Sequence, residues 1–149
     1  MALAAFAQYQ HSYNAWDELA RSVGAMAVLA EQSELMVAQQ PSGEIVGGVA
    51  YFGPGTTPRA DFFKPQWPII RMLVVGPSAR GQGVGRRLTE LCIASARRDG
   101  ADVIALHTSP VMEVALSLYQ RMGFKLARHV PERFGVPYAV YLMNIAELA

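Results

Sequence analysis

The sequence lacks the features that mark secreted, membrane-spanning and nucleic-acid-binding proteins. It contains one cysteine, so a disulfide framework is excluded and a reducing, cytoplasmic location is expected. No stretch approaches the ~20 apolar residues that span a bilayer, and the apolar residues 1–10 lack the preceding basic residues of a signal peptide. Because the formal net charge is only +1, general binding of nucleic acid is not expected either.

Metal-ligand spacings are also missing. No arrangement of His, Cys and Asp residues has the spacing of a metal site, so no metal is expected. Cys92 lies beside Leu88 and Leu91 on an apolar helical stripe, which is typical of an inert core thiol. The length of 149 residues, with 52% hydrophobic and 17% charged residues, indicates a single globular domain over residues 1–149.

The hydrophobic pattern predicts a mixture of helices and strands. The predicted helices cover residues 2–8, 15–31, 84–98 and 111–122, and the predicted strands cover 35–39, 45–52, 69–75, 103–107, 124–127 and 138–144. The run 69–75 is almost entirely apolar, as expected for a strand buried on both faces. Strands and helices alternate in the second half, while the first half carries a hairpin. This pattern predicts an α/β or α+β fold with a mixed sheet.

The most informative segment connects the strand predicted over 69–75 to the helix predicted over 84–98. We call it the glycine loop, and it consists of Arg80, Gly81, Gln82, Gly83, Val84 and Gly85. Glycines let a ligand approach the main chain, and a helix start presents unpaired N–H groups with a partial positive charge. The first helical turn contains Arg86 and Arg87 and no acidic residue, so the loop is expected to bind an anion.

Two common phosphate-binding patterns do not fit the glycine loop. A P-loop requires Lys and then Ser or Thr after its last glycine, where this chain has Arg86 and Arg87. A dinucleotide fingerprint requires a glycine three residues after Gly83, where Arg86 stands. A third pattern, Arg/Gln-x-x-Gly-x-Gly/Ala, is satisfied by Arg80, Gly83 and Gly85.

With this third pattern the chain resembles the GNAT-type N-acetyltransferases, which bind acetyl-coenzyme A (acetyl-CoA). Residues 71–77 are similar to the family's fourth strand, and residues 115–124 resemble its later helix, which ends in a Tyr and a Gly-Phe turn. The resemblance extends over about residues 44–144. It implies a mixed, mostly antiparallel central sheet with helices on both faces. The family's first strand would be missing or very short, because residue 1 already lies near the first predicted helix.

The resemblance also implies where acetyl-CoA would bind. The pantetheine arm would pair with the main chain of Leu73, Val74 and Val75, where the family's strands splay apart. The pyrophosphate would be held by the main-chain N–H groups of Gly81, Gln82, Gly83, Val84, Gly85 and Arg86, and attracted by arginines beside the loop, among them Arg80. A main-chain N–H of the splayed strand would stabilise the negative charge that develops on the thioester oxygen.

Tyr119 matches the family's tyrosine that protonates the leaving sulfur. An ordinary tyrosine pKa of ~10 suits an acid that must be protonated at neutral pH. Tyr119 also lies on an apolar stripe of its helix with Leu118 and Met122, so a purely structural core position is the alternative.

The sequence departs from the family at two positions. Relatives often carry a Glu near Ile69 that draws a proton from the amine, and an Asn at the position of Met112 that contacts the coenzyme. His107 and Glu132 are candidates for the missing base. A water chain is another, and no base is needed if the acceptor arrives as a neutral amine.

The predicted function is transfer of the acetyl group of acetyl-CoA, by direct attack, to a primary amine of a small molecule or to an amino-terminal group. Two alternatives are a non-catalytic acyl-CoA sensor, and a protein-lysine or longer-chain acyltransferase. Acceptor specificity is expected in residues 9–34, 53–68 and 130–137. Three alternatives stay open for the aromatic residues of 53–68: they line an acceptor pocket, they pack on the core, or they form a dimer contact. A homodimer is predicted by analogy with related folds alone.

Overall fold

A computed structural model describes residues 33–56, 59–133 and 135–146. The strands are β1 (Glu34–Gln39), β2 (Ile45–Phe52), β3 (Ile69–Val75), β4 (Val103–Thr108), β5 (Lys125–Arg133) and β6 (Val136–Asn144), and the α-helices are α1 (Val84–Arg98) and α2 (Glu113–Met122). A short 3-10 helix, Pro77–Ala79, follows β3. The helices predicted over 2–8 and 15–31, and the question of a missing first strand, lie outside the described residues.

The strands form one six-stranded sheet in the order β1-β2-β3-β4-β6-β5. All neighbouring strands are antiparallel except β3 and β4, which are parallel. The mixed, mostly antiparallel sheet predicted from the sequence is therefore confirmed. None of the helices in the described part of the chain has the length and apolar character to cross a bilayer.

Strands β3 and β4 separate almost as soon as they meet. Their pairing is limited to Ile69 with Ala105 among the described residues, beside a hydrogen bond of 2.9 Å from the Ala105 N–H to the Pro68 carbonyl. In contrast, β4 pairs with β6 from Val103 to Thr108. The sheet is thus open between the second half of β3 and β4.

An irregularity in β3 lies beside this opening. The register with β2 shifts between the pairs Gly48–Val74 and Ala50–Arg71, so that Met72 and Leu73 lie opposite a single β2 residue. Met72 has a positive φ of 58°, which is uncommon outside glycine. The extra residue turns the main chain of β3 where the strand loses its contact with β4.

The two faces of the sheet are covered by different segments. On the helical face, α1 and α2 pack on a core that includes Ile70, Leu106 and Tyr141. On the other face, which we call the loop face, the 53–68 segment places Phe63 in a second cluster with Ile69 and Ala105. Because side chains alternate along β3 and β4, neighbouring residues of one strand contribute to the two separate clusters.

Several element bounds match the sequence prediction and others do not. The predictions for β2 and α1 are confirmed over their whole length. Strand β3 has the predicted bounds, but its residues Arg71, Met72 and Leu73 are half-buried rather than buried on both faces, because β4 has moved away. Strands β5 and β6 are longer than predicted, so most of residues 130–137, where acceptor specificity is expected, belong to a hairpin.

Candidate active site

A groove of about 270 Å³ opens on the helical face, at the end of β3. We call it the α1 groove, because the start of α1 forms one wall. Eight of the residues predicted to bind the coenzyme line it: Leu73, Val74, Val75, Arg80, Gly81, Gly83, Val84 and Gly85. The structure thus brings the end of β3 and the glycine loop together in one cavity, and their binding of the coenzyme stays a prediction.

The opposite wall of the α1 groove comes from α2 and the residues before it. Met112, Val114, Ala115, Leu118 and Arg121 line this side. The sequence analysis named Met112 as a departure from the family and Leu118 as part of an apolar helical stripe, and it predicted neither as a groove wall. The available signal was the helical spacing of Ala115 and Leu118, which place one face of α2 toward the glycine loop.

The glycine loop has the backbone geometry that its glycines permit. Gly81 and Gly83 have φ values of 79° and 78°, in the left-handed region that disfavours side chains. Gly83 is the N-cap of α1, and the first helical hydrogen bond runs from the Arg87 N–H to the Gly83 carbonyl at 3.0 Å. The N–H groups of the residues between them therefore have no acceptor within the helix, and they point out of its N-terminus.

Two further glycines let α1 approach the sheet. A Cβ atom on Gly47 would lie 2.9 Å from Val84 Cγ1, closer than carbon atoms tolerate, so β2 needs a glycine there. A Cβ atom on Gly85 would lie 3.4 Å from Leu118 Cδ2 and 3.5 Å from Val75 Cγ2, and would fill the floor of the α1 groove.

The charged side chains of the α1 groove are both basic. Arg80 Nε and Nη2 donate to the Val75 carbonyl, each at 3.4 Å, which folds the guanidinium back along the groove. Arg121 Nη1 donates to Ser117 Oγ at 2.7 Å. No acidic side chain is among the described residues that line the groove. An anionic ligand therefore meets only basic side-chain charges in the walls that the described residues form.

Two residues of the predicted coenzyme site do not line the groove with their side chains. Gln82 is exposed, and Arg86 Nε lies 3.9 Å from Glu90 Oε2 in an exposed pair along α1. Such exposed pairs contribute little to stability, about 0–1 kcal/mol. The prediction for Gln82 and Arg86 concerns their main-chain N–H groups, and it stays a prediction.

Tyr119 lies in the core beside the groove. Only 5% of its surface is exposed, and its ring contacts Phe124 edge-on at 5.6 Å between centroids. Helix α2 ends at Gly123, which has a φ of 111°, and the Phe124 N–H donates to the Tyr119 carbonyl at 3.0 Å. The preceding residue, Leu118, faces the groove, whereas Tyr119 is not among the residues that line it. Its role as an acid stays a prediction.

A second cavity, of about 320 Å³, lies on the loop face of the sheet. We call it the aromatic pocket. Its lining consists of Phe52, Thr56, Arg59, Ala60, Phe62, Phe63, Ile69, Arg71 and His107. Arg71 lines the aromatic pocket and Leu73, two residues later, lines the α1 groove. The two cavities therefore flank β3 where it separates from β4.

Arg59 holds the 53–68 segment in place over this pocket. Its guanidinium donates to the carbonyls of Thr56 at 2.9 Å, Lys64 at 2.6 Å and Trp67 at 2.8 Å. Partial burial lowers the pKa of Arg59 below its usual value, because the charged form loses hydration. Its partners among the described residues are neutral oxygens, so its positive charge stays beside the pocket.

His107 lies on the same wall, among aromatic rings. Its ring centroid is 5.5 Å from Phe62, 5.6 Å from Phe63 and 5.4 Å from Tyr138. Glu132, the other candidate base, is an exposed residue of β5. His107 is therefore the candidate that lines a cavity, and Ile69, at the position of the family's Glu, is a buried part of the same wall.

Comparison with known proteins decides the family. Residues 4–124 match the sequence model of the "Acetyltransferase (GNAT) family". The chain belongs to the GNAT family. This membership confirms the resemblance found in the sequence.

Individual relatives in the GNAT family are more distant. The chain is 40% identical over 55 residues to N-alpha-acetyltransferase 30 of Saccharomyces cerevisiae, covering 37% of this chain and 31% of that protein. It is 32% identical over 90 residues to N-acetyltransferase family 8 member 2 of Rattus norvegicus, covering 60% of this chain and 38% of that one. The chain thus spans well under half the length of these curated relatives.

Solved structures share the fold. Nourseothricin acetyltransferase superposes with a TM-score of 0.62 at 26% identity, over 77% of this chain and 66% of that one. A GNAT acetyltransferase from Elizabethkingia anophelis, solved with acetyl-CoA bound, superposes with a TM-score of 0.60 at 20% identity, over 81% of this chain and 82% of that one. Acetyl-CoA is the acetyl donor of this family, which agrees with the cofactor prediction at the level of the family.

Proposed function

We propose that this GNAT protein transfers the acetyl group of acetyl-CoA to a primary amine of a small molecule or to an amino-terminal group. The observation that carries this proposal is the α1 groove, which runs from the opening between β3 and β4 to the N-terminus of α1. The aromatic pocket, on the opposite side of β3, is the proposed acceptor site.

The chemistry of the α1 groove fits coenzyme A. Its walls combine apolar side chains, such as Val75 and Leu118, with main-chain groups of β3 that have no partner strand on the β4 side among the described residues. An extended arm with amide groups suits such a wall, because its amides pair with the main chain as another strand would. At the far end, the amide groups of the glycine loop and Arg80 suit a pyrophosphate.

Acetyl-CoA itself supplies an activated acyl group and a thiol leaving group. Because the protein does not have to supply these groups, the proposed site consists mostly of main-chain contacts. The irregular turn at Met72 and Leu73 directs the main chain of β3 toward the opening, where an N–H group would stabilise negative charge on the acyl oxygen. Holding both reactants at this opening lowers the activation barrier through orientation, an effect of about 7–11 kcal/mol when the geometry is well aligned.

The proton transfers are assigned to two residues. Tyr119 would donate a proton to the departing sulfur. His107 would accept a proton from the amine, directly or through water, because it lines the aromatic pocket on the strand that borders the opening. The sec-butyl side chain of Ile69 has no proton-accepting group, so the family's usual base is replaced or unnecessary here.

Release of free thiol from acetyl-CoA in the presence of an amine panel tests the proposal. We expect thiol release that depends on both protein and amine, together with an amine product that has gained one acetyl group, read by mass spectrometry. Peptides with free amino termini and peptides whose only amine is a lysine side chain belong in the panel, because they separate the small-molecule, amino-terminal and protein-lysine versions of the reaction.

The non-catalytic sensor is a second candidate, because Ile69 replaces the usual base and Tyr119 lies outside the groove. Tight binding of acetyl-CoA, measured by calorimetry, with no thiol release for any amine would favour the sensor and contradict the enzyme.

A further inference from the structure

The guanidinium of Arg59 joins the two ends of the 53–68 segment. Its Nη1 donates to the carbonyls of Lys64 and Trp67, at 2.6 and 2.8 Å, near the end of the segment. Its Nε donates to the Thr56 carbonyl at 2.9 Å, near the start. One side chain therefore ties together main-chain groups from both ends of the segment.

All five N–H donors of this guanidinium are engaged. Its Nη2 donates to the Gly53 carbonyl at 3.3 Å and to Thr56 Oγ1 at 3.2 Å, which completes the set. The Thr56 hydroxyl donates in turn to the Gly53 carbonyl at 2.8 Å. Because its donors are all used inside the segment, Arg59 acts on the aromatic pocket through the segment that it holds.

Loss of the guanidinium would loosen the segment. Its hydrogen bonds to the carbonyls of Thr56 and Trp67 are partly buried. A buried carbonyl that loses its donor costs about 1–3 kcal/mol of stability. A main-chain hydrogen bond of 2.7 Å, from the Gly55 N–H to the Pro65 carbonyl, also joins the two ends. We therefore expect a local loosening and not an unfolding of the domain.

The segment carries the rings that contact His107. Phe62 and Phe63 stand between Arg59 and Lys64 in the chain, and their ring centroids lie 4.9 Å apart. Each ring lies against His107, at 5.5 and 5.6 Å between centroids. All three side chains line the aromatic pocket. Because such ring contacts depend on distance and orientation, a shift of the segment changes the surroundings of the proposed base.

The donor side of the site does not share these contacts. The described residues that line the α1 groove lie within 73–85 and 112–121, and none of them belongs to the 53–68 segment. A change confined to the segment should therefore alter the acceptor side and leave binding of the coenzyme intact.

We propose that Arg59 is a positioning residue for the acceptor half of the proposed acetyl transfer. By closing the 53–68 segment, it fixes Phe62 and Phe63 against His107 and sets the shape of the aromatic pocket. This inference rests on the proposed function, because it takes the aromatic pocket as the acceptor site and His107 as the base. It adds a residue that touches no reactant and acts through the segment.

Arg59→Gln tests the proposal, with the amine of the panel that the unaltered protein acetylates fastest. We expect kcat/KM for this amine to fall by about 10- to 100-fold, the effect of a misplacement of about 1 Å at a reacting group. The affinity for acetyl-CoA, measured by calorimetry, should be unchanged. Hydrogen exchange, read by mass spectrometry, should become faster in residues 53–68 and stay the same in residues 84–98.

Arg59→Lys separates positioning from charge. Lysine keeps the positive charge, but its three donors lie on one nitrogen and do not reproduce the fork of arginine. We expect it to lose nearly as much kcat/KM as Arg59→Gln.

A milder variant and a matched control complete the series. Thr56→Val removes one acceptor of the guanidinium and leaves the others, so it should give a smaller loss in the same direction, and it serves as the test if Arg59→Gln does not fold. Arg97→Gln changes an exposed arginine at the end of α1 that is outside both linings, and it should change nothing.

The outcomes separate the inference from the proposed function. Full kcat/KM in Arg59→Lys, or an unchanged kcat/KM in Arg59→Gln whatever its exchange pattern, would overturn the inference. Equal losses of amine turnover and acetyl-CoA affinity would also overturn it, because they indicate a general loss of stability. These results would leave acetyl transfer standing. Absence of thiol release with every amine in the unaltered protein would contradict the proposed function, and would leave Arg59 with a structural role only.

Discussion

Tyr119 is the residue whose role is least determined by its surroundings. Its ring packs on Phe124 in the core, which any large apolar residue achieves, yet it follows directly after Leu118 on the groove wall. A helix motif predicts which residue type stands there, and it does not predict how deeply the side chain is buried. Only a change that keeps the packing and removes the hydroxyl separates the two roles.

Tyr119→Phe is that change. If the hydroxyl donates a proton to sulfur, kcat falls by about 100-fold or more while the KM for acetyl-CoA stays the same, as is usual for loss of a general acid. Steady-state kinetics at saturating amine measures this. Tyr141→Phe, a buried tyrosine of the same helical-face core, is the control and should retain the full rate. An undiminished kcat in Tyr119→Phe would leave Tyr119 as a core residue only.

Cys92 shows a residue whose role was predictable from sequence. It is fully buried in the helical-face core, and burial, reinforced by the charge of Glu34, raises the pKa of its thiol to about 12. Almost no thiolate exists at neutral pH, so Cys92 is not a nucleophile. Helical periodicity was sufficient for this prediction, because Cys92 belongs to the apolar stripe of α1 and that stripe faces the sheet.

At the scale of elements, α1 and the glycine loop were predictable because each position has a local physical reason. The left-handed residues Gly81 and Gly83 and the apolar stripe of the helix are all visible in the sequence. The β5–β6 hairpin was not predictable from the sequence, because Pro131, Gly135 and Pro137 are typical of a loop. Among the described strands, β5 lies at the edge of the sheet, where a proline costs no ladder hydrogen bond on the open side. Gly135 supplies the positive φ of the turn.

The glycine loop is tested by comparing two glycines at opposite ends of α1. Gly83 and Gly100 have φ values of 78° and 76°, and a Cβ atom on either would meet nothing within 4 Å. Alanine at either position should therefore cost a similar amount of stability, about 1–2 kcal/mol, since both force a left-handed conformation. We expect only Gly83→Ala to weaken acetyl-CoA binding, by about 10-fold, because only Gly83 lines the α1 groove.

Thermal unfolding and calorimetric titration with acetyl-CoA measure the two effects separately. Equal loss of affinity in Gly83→Ala and Gly100→Ala would mean that the loop acts through overall stability and not through contact with the coenzyme.

At the scale of the whole molecule, the proposed function depends on one irregularity of the sheet. Strand β3 leaves β4 after the pair Ile69–Ala105, and a cavity opens on each side of the gap. The sequence indicated the α1 groove, because most of its residues lie in one contiguous motif. It did not indicate the aromatic pocket as a whole, because Phe52, Arg71 and His107 come from three strands whose order in the sheet is not visible in local patterns.

The most direct test of the central claim is a crystal structure of the protein with coenzyme A bound. The account predicts the pyrophosphate on the main-chain amides of residues 81–86, the pantetheine arm along Leu73, Val74 and Val75, and the sulfur at the gap between β3 and β4, facing the aromatic pocket. Coenzyme A bound away from the α1 groove, or a sulfur that faces no cavity on the loop side of β3, would contradict it.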